Sequence, residues 1–375
     1  MVILQIVFII LLLGYSSIII YLMFKWNDIP FFKANCSSYH TTLSIIIPFR
    51  NEENNLSDLL DHLFMQDYPS MLFEIILIND FSTDNSLKII ESKKEEAKQK
   101  GVNLKIINSS SENKKAALTE GIKLAAGELI ITTDADCSLA PNWLKTIVCY
   151  YQYFNFDAAS APVVFKKTNN LWQKLQQLEF ISLISSGAAS IEAGFPLMCN
   201  GANLVYKKSA FIDAGGFDGI DNSPSGDDVL LFQKLSQKKK KLVFIKSEDA
   251  FVTTNASETI TEFVQQRKRW ASKVTGQFYF PSFIVALVVY LFSLSILVAG
   301  IGSFFSVTMF NAFIFLFSIK LIVDFLFFAS VLKFFKDKSL LFLILPAEIL
   351  YILYVVSIGT IAPFGKYNWK GRSHR

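Results

Sequence analysis

Two stretches of this chain are too apolar to belong to a soluble core, and they limit what the remainder can be. Val2 to Phe24 carries no charge and few polar side chains, which is enough length to cross a bilayer as a helix. No small-residue cleavage site precedes Lys25 and Trp26, so the stretch reads as an uncleaved anchor rather than a signal peptide. From Pro281 to Pro363 the chain is again almost wholly apolar. It is interrupted by Gly300 and Gly302, by Lys320 and Asp324, and by a basic patch from Lys333 to Lys338. Three hydrophobic segments are predicted there, at about Pro281–Phe304, Ser306–Leu332 and Ser339–Pro363. The 36 Phe among 375 residues are more than an ordinary soluble domain of this size carries.

The chain therefore divides into an N-terminal transmembrane anchor (1–26), a soluble domain (41–275), a C-terminal membrane region (281–363) and a basic tail (364–375). The soluble part, roughly 235 residues, is long enough to bury a full core as one α/β domain. Net charge is +4, from 36 basic and 32 acidic residues, which gives nucleic acid no electrostatic footprint. Lys238–Lys241 reads as a solvated turn. Cys36, Cys137, Cys149 and Cys199 have neither metal-ligand spacing nor a readable pairing, and a reduced, cytosol-facing domain is expected. His40, His62 and His374 are too scattered to form a site.

Within 41–275, Leu43–Ile47 is a short apolar run followed by an acidic helix start at Asn51–Leu56. Phe73–Ile78 repeats the pattern and ends at Asn79-Asp80, after which Ser82–Ser86 can cap a helix running to Lys100. Val102–Ile107 and Glu128–Thr132 complete four predicted strands, with a helix at Lys114–Ala126 between them. Continuous apolar strands alternating with helices predict a parallel sheet covered on both faces. Downstream, Ala158–Phe165 is a predicted strand and Leu171–Ile191 a helix, while Gly194–Asp228 reads as mostly loop.

The fourth strand stops at Asp134-Ala135-Asp136, at the carboxyl end, where open α/β sheets bind ligands. Two carboxylates one residue apart supply hard oxygen ligands suited to Mg²⁺ or Mn²⁺ on a diphosphate. Taken alone, the pair is a strand-end turn, and Gly226-Asp227-Asp228 alone is a turn leading into a helix N-terminus. Gln266, Arg269 and Trp270 share one face of a predicted helix. Arg can fork onto phosphate and an indole can stack on a sugar, though both residues also suit an interfacial helix. Lys320 and Asp324, four apart in an apolar segment, can pair as intramembrane charges.

These residues together resemble the family 2 inverting glycosyltransferases with a GT-A fold. The matches run in order over about residues 43–273: Pro48…Asn51-Glu52, Asn79 to Asp84, Asp134-Ala135-Asp136, Gly201-Ala202-Asn203, Gly226-Asp227-Asp228 and Gln266…Arg269-Trp270. The resemblance implies an α/β GT-A fold, a Rossmann-like nucleotide-binding half plus an acceptor half on a mixed, mostly parallel sheet. It implies Asp80 at the nucleotide base, with Pro48, Arg50 and Glu52 lining the nucleotide pocket. Lys114 matches a basic position before the family's Ala-Leu-Asn, with Thr119 here in place of Asn. Asp136 is implied as metal ligand, and Asp134 as a second ligand turned towards the ribose or donor sugar. Asp228 is implied as the general base with Asp227 beside it where Glu is usual, and Asn203, Gln266, Arg269 and Trp270 as substrate contacts. The donor implied is a nucleotide-diphosphate sugar, UDP being the family's common choice.

Activated sugars are cytosolic, so the resemblance implies an integral membrane enzyme with a cytoplasmic catalytic domain. Three C-terminal segments are few for a polysaccharide channel, which favours a lipid or lipid-linked acceptor. The ending Asn368 to Arg372 is similar to a Trp-Lys-Gly-Arg ending of some lipid- or carotenoid-directed members. One anchor plus three full spans would place Lys366, Lys370, Arg372 and Arg375 outside, against the positive-inside tendency, so one segment is expected to be interfacial or re-entrant. The competing readings are a processive polysaccharide synthase and a non-catalytic nucleotide-sugar-binding subunit.

Overall fold

The structure, a computed structural model, describes residues 2–112, 114–220, 226–276, 278–361, 367–369 and 372–374. The expected segment end at Pro363 lies outside them, as do Lys366, Lys370, Gly371 and Arg375 of the basic tail.

In chain order the elements are α1 (Val2–Asp28), β1 (Leu43–Phe49), α2 (Leu56–Phe64), β2 (Phe73–Asn79), α3 (Ser86–Gln99), β3 (Asn103–Asn108), α4 (Lys114–Leu124) and β4 (Leu129–Thr132). There follow β5 (Ser138–Leu139), α5 (Trp143–Phe154), β6 (Ala158–Ser160), β7 (Val163–Phe165), α6 (Leu171–Glu192), β8 (Leu204–Lys207), α7 (Lys208–Asp213) and α8 (Asp227–Gln237). The chain continues through β9 (Leu242–Phe244), β10 (Val252–Thr254), α9 (Ile260–Gly276), α10 (Phe280–Gly302), α11 (Val307–Phe335) and α12 (Ile344–Ile361). Tyr367–Trp369 and Arg372–His374 close it as an antiparallel pair.

Two compact units emerge. The α/β unit comprises Ile29–Lys167 and Gly194–Ala256; the helical unit comprises Met1–Asp28, Thr168–Ala193 and Ser257–Arg375. Helices α6 and α9, expected as parts of the soluble domain, cluster with the helical unit.

In the α/β unit a seven-stranded sheet has the order β3-β2-β1-β4-β8-β6-β9. The expected four parallel strands form its first part, and β1 and β2 are buried on both faces, as their unbroken Ile and Leu runs require. β8 alone runs against its neighbours β4 and β6. Within Gly194–Asp228, expected as mostly loop, the strand β8 and the short helix α7 also lie. The expected strand Ala158–Phe165 also divides, because β6 joins the main sheet while β7 pairs β10 in a second sheet of order β5-β10-β7.

A buried polar knot braces the sheet near the start of its strands. Glu74 on β2 accepts from Ser44 Oγ on β1 at 2.6 Å and from the Ala126 N–H at 2.6 Å, and pairs with Lys105 on β3 at 2.7 Å. Gly127 belongs there because a Cβ would lie 2.4 Å from Ser44 N and 2.5 Å from Leu43 C.

The tether after α1 is also tied into this unit. Cys36 is disulfide-bonded to Cys149 on α5, across a separation of 113 residues. The expectation of a reduced domain without a readable pairing is thereby corrected: only the folded tether brings these two together, while Cys137 and Cys199 take no part in a disulfide. Phe32 packs against Tyr150 beside the bridge, with ring centroids 4.9 Å apart.

In the helical unit, α1, α10 and α11 and the stretch Lys338–Ile361 containing α12 are each long and apolar enough to cross a membrane. Phe8, Leu12 and Tyr15 of α1 share a core with Phe292 and Ile296 of α10, Leu316 of α11 and Ile352 of α12. Lys320 and Asp324 do pair, at 2.6 Å, and Glu348 of α12 and Tyr15 join them: Lys320 also bonds Glu348, and the Tyr15 hydroxyl donates to Asp324 at 2.7 Å.

Candidate active site

The site is built where parallel strands end. The ends of β1 and β2 are tied by the Asp80 N–H, which donates to Phe49 O at 2.9 Å. The loops beyond them interlock. Asn51 N–H donates to Ser82 Oγ at 3.1 Å, Thr83 N–H to Asn51 Oδ1 at 2.8 Å, and Glu52 N–H to Ser86 Oγ at 2.8 Å. Asn51 and Phe81 adopt left-handed backbone, φ 52° and 57°, which lets both loops turn sharply at the strand ends. Burial opposes ionisation of Asp84, but hydrogen bonds from Ser86 and from the Glu53 N–H outweigh it and hold its carboxyl below the ordinary range. Pro48 is the penultimate residue of β1, Arg50 and Glu52 lie in the loop just past its end, and Asp80, at the end of the neighbouring β2, is buried at 5 % exposure. The four expected nucleotide-side residues thus sit on adjoining strand ends.

β4 delivers Asp134 and Asp136 to the same edge, in a turn where Cys137 N–H donates to Asp134 O at 3.2 Å. Asp136 receives the Thr254 hydroxyl of β10 at 3.0 Å. Burial, then the charge of Asp134, raise the Asp136 carboxyl above the ordinary range despite that bond. Such a carboxylate gains from a cation. Burial pushes the Cys137 thiol up, and the charges of Asp136 and Asp134 push it further, so it stays a neutral filler.

The second acidic pair arrives from α8. Gly226, at φ 82°, caps the helix in left-handed backbone, and Asp227 and Asp228 occupy the first turn, where negative charge is favoured by the helix dipole. Asp228, 7 % exposed, accepts from Gly201 N–H at 3.1 Å and from Val229 N–H at 2.7 Å. Gly201 is itself held by Thr132 of β4, whose hydroxyl donates to Gly201 O at 2.8 Å. A chain of bonds therefore links the end of β4 to the carboxylate of Asp228. Lys114, at the start of α4, spans the two acidic clusters, with Nζ 3.5 Å from Asp134 Oδ1 and 3.3 Å from Asp227 Oδ2.

Asn203 is a correction. It is 0 % exposed, with Oδ1 accepting from Trp143 Nε1 at 3.1 Å and Nδ2 donating to Pro162 O and Ala250 O at 2.9 and 2.8 Å. With both Nδ2 protons and one Oδ1 lone pair engaged, and no exposed surface, it is held as a structural brace next to Gly201. Thr254 and Trp143, which hold Asp136 and Asn203, carry no sequence signal, because their partners lie far along the chain. Gln266, Arg269 and Trp270 lie on α9 of the helical unit.

A divalent cation fits this donor set in kind. Among the described residues no cluster of three or more His, Cys, Asp or Glu is assembled to hold a metal. Mg²⁺, however, is usually held by one or two carboxylates together with substrate phosphates. Asp136 and Asp134 could supply such a pair, and the repulsion between them is what a cation would relieve.

The glycosyl transferase family 2 model matches residues 44–215, which include β1 to β4, Asp80, Asp134, Asp136 and Gly201. The chain is 28 % identical over 233 residues to a poly-beta-1,6-N-acetyl-D-glucosamine synthase of Staphylococcus epidermidis, covering 61 % of this chain and 53 % of that protein. It is 29 % identical over 151 residues to the dolichyl N-acetyl-alpha-D-glucosaminyl phosphate 3-beta-D-2,3-diacetamido-2,3-dideoxy-beta-D-glucuronosyltransferase of Methanococcus voltae, covering 39 % of this chain and 46 % of that protein. The chain thus spans about half the length of the curated relatives it matches. Among solved structures, the mannosyltransferase PcManGT from Pyrobaculum calidifontis, in complex with GDP-Man and Mn²⁺, is similar with a TM-score of 0.62 at 17 % identity, covering 94 % of this chain and 99 % of that one. The fold is the expected GT-A fold.

Proposed function

Because this chain belongs to the family 2 glycosyltransferases by its domain at residues 44–215, we propose that it is a membrane-bound inverting enzyme. It moves a sugar from a nucleotide-diphosphate sugar, UDP in the first instance, to a lipid or lipid-linked acceptor. The observation that carries this reading is the linkage of the two acidic clusters in one unit: Asp134 and Asp136 at the end of β4, Asp228 held through Gly201, and Lys114 between them.

Asp80, Pro48, Arg50 and Glu52 receive the nucleoside. Asp136 and Asp134 would hold Mg²⁺ or Mn²⁺, which when bound supplies Lewis-acid neutralisation of the departing diphosphate. Asp228 accepts the proton of the acceptor hydroxyl as that oxygen attacks the anomeric carbon from the face opposite the leaving group. The N–H groups of Gly201 and Val229 orient its carboxylate for this task. Lys114 adds positive charge beside Asp134, where the diphosphate would lie. By the resemblance, Gln266, Arg269 and Trp270 contact the diphosphate and acceptor.

The donor supply argues for a cytoplasmic catalytic domain. The Cys36–Cys149 bridge pulls the other way, since disulfides persist chiefly in oxidising compartments. A lipid-linked acceptor is supported by the Methanococcus voltae relative, whose name specifies a dolichyl N-acetyl-alpha-D-glucosaminyl phosphate. The staphylococcal synthases favour a second reading, a processive polysaccharide synthase; product length by mass spectrometry separates the two. The function is tested by screening UDP- and GDP-sugars with Mn²⁺ or Mg²⁺ and membrane lipid for release of nucleoside diphosphate. Metal-dependent release with one donor is expected, and no turnover with any donor overturns the proposal.

A further inference from the structure

The helix α9 carries an arginine that the glycosyltransferase motif leaves without a role. Phe263, Arg267 and Trp270 are spaced so that they share one helix face. A guanidinium is charged at all accessible pH, yet Arg267 is only 1 % exposed. Its charge is answered by Glu179 of α6, 11 % exposed at the side chain, which accepts from Arg267 Nε at 2.8 and 3.1 Å and also from Nη2. The guanidinium carbon lies over two rings, 4.3 Å from the Phe263 centroid and 4.2 Å from that of Trp270. Its remaining nitrogen, Nη1, donates to Gln266 Oε1.

We infer that Arg267, anchored by Glu179, is a positioning residue that sets the orientation of Gln266 and Trp270. The inference rests on the reading in which those two residues contact donor and acceptor. With Gln266 Oε1 engaged by Arg267, the rotation of the amide is fixed and its two N–H donors are left for other partners, as recognition of a diphosphate or a sugar hydroxyl requires. The Trp270 ring is fixed on one face by the guanidinium and stacks with Phe180 at 5.8 Å, and Phe263 is backed by Trp172 at 5.0 Å. A side chain that touched phosphate directly would need an open face. Arg267 has none, so its influence passes through its neighbours. Lysine cannot replace it, because a point charge on a flexible stem neither forks onto Glu179 nor stacks on two rings.

The test is a double-mutant cycle on the full-length protein in lipid nanodiscs, reading transfer from the nucleotide sugar. Arg267→Lys is expected to lower kcat/KM by about 10- to 100-fold, and in a Gln266→Ala background to lower it by less than about 3-fold, because residues acting through one another are not additive. A purely structural role for Arg267 would give losses that multiply, and that result overturns the inference. Wild-type transfer by Arg267→Lys overturns it equally. If Arg267→Lys does not fold, Glu179→Gln serves in its place with the same expected pattern. Wild-type transfer by Gln266→Ala and Trp270→Ala would instead show that the parent reading of these two residues is wrong, which is a separate failure.

Discussion

Lys114 Nζ lies 3.3 Å from Asp227 Oδ2 and 3.5 Å from Asp134 Oδ1, so a single ammonium joins a carboxylate of the strand-end pair to one of the helix-start pair. Removing it leaves both clusters without their shared counter-charge. Lys114→Met is expected to reduce transfer by about 10²-fold, the scale of losing one preorganised electrostatic partner, while thermal unfolding stays near wild type. Steady-state kinetics beside a melting curve check this.

Gly201 governs Asp228 sterically. A Cβ at position 201 would stand 3.3 Å from Asp228 Cβ and 3.5 Å from Oδ2, so Gly201→Ala crowds the Asp228 side chain at its Cβ, which must give by a few tenths of an ångström. Small displacements of a reacting group cost heavily in rate. We expect transfer to fall by about 10-fold or more with donor binding retained, measured by turnover and by donor titration.

The positions legible in sequence are those whose chemistry is local. The apolar runs of β1, β2 and β4 and the acidic residues at their ends carry their own pattern, and the structure places them on one sheet edge. What was not legible depends on distant partners. β8 lies in a Gly- and Asn-rich stretch that reads as loop, and becomes a strand because β4 and β6 flank it on both sides. Thr254 meets Asp136 across 118 residues, and Cys36 meets Cys149 across 113. Asn203 carried the right motif but the wrong role, because burial is a tertiary fact. Arg267 adjoins the residues that were singled out, yet only Glu179 on another helix shows that it faces inward.

The knot around Glu74 should be visible in acid. Burial opposes ionisation of Glu74, but the bonds from Lys105, Ser44 and the Ala126 N–H outweigh it and hold the carboxyl below its ordinary value of 4.5. A depressed folded value means that the stabilisation is complete above 4.5 and is lost as pH falls through the lowered value. Glu74→Gln is therefore expected to cost about 1.5–3 kcal/mol near neutrality and to flatten the stability profile below pH 4.5. Denaturant titrations at several pH values measure both.

The membrane unit offers a different stability test. Lys320, 1 % exposed at the side chain, is the cation between Asp324 and Glu348. Lys320→Met would leave two buried carboxyls facing one another, at a cost of about 3–5 kcal/mol for breaking a buried ion pair. Adding Asp324→Asn and Glu348→Gln should restore much of the loss, as read by thermal unfolding in detergent.

Thiol labelling decides how the tether is held. Alkylation without reductant is expected to reach Cys137 and Cys199 in the unfolded protein and to spare Cys36 and Cys149, which the structure pairs. Labelling of all four cysteines would show that the bridge is open in the protein as purified.

In the proposed reaction Asp228 takes the proton from the acceptor while Asp134 and Asp136 serve the donor. Asp228→Asn in the full-length protein, supplied with its nucleotide sugar, Mn²⁺ and membrane lipid, tests this most directly. Donor affinity is expected to stay within about 3-fold of wild type and transfer to fall by about 10²–10⁴-fold, the range for loss of a general base. Transfer at the wild-type rate would contradict this role of Asp228.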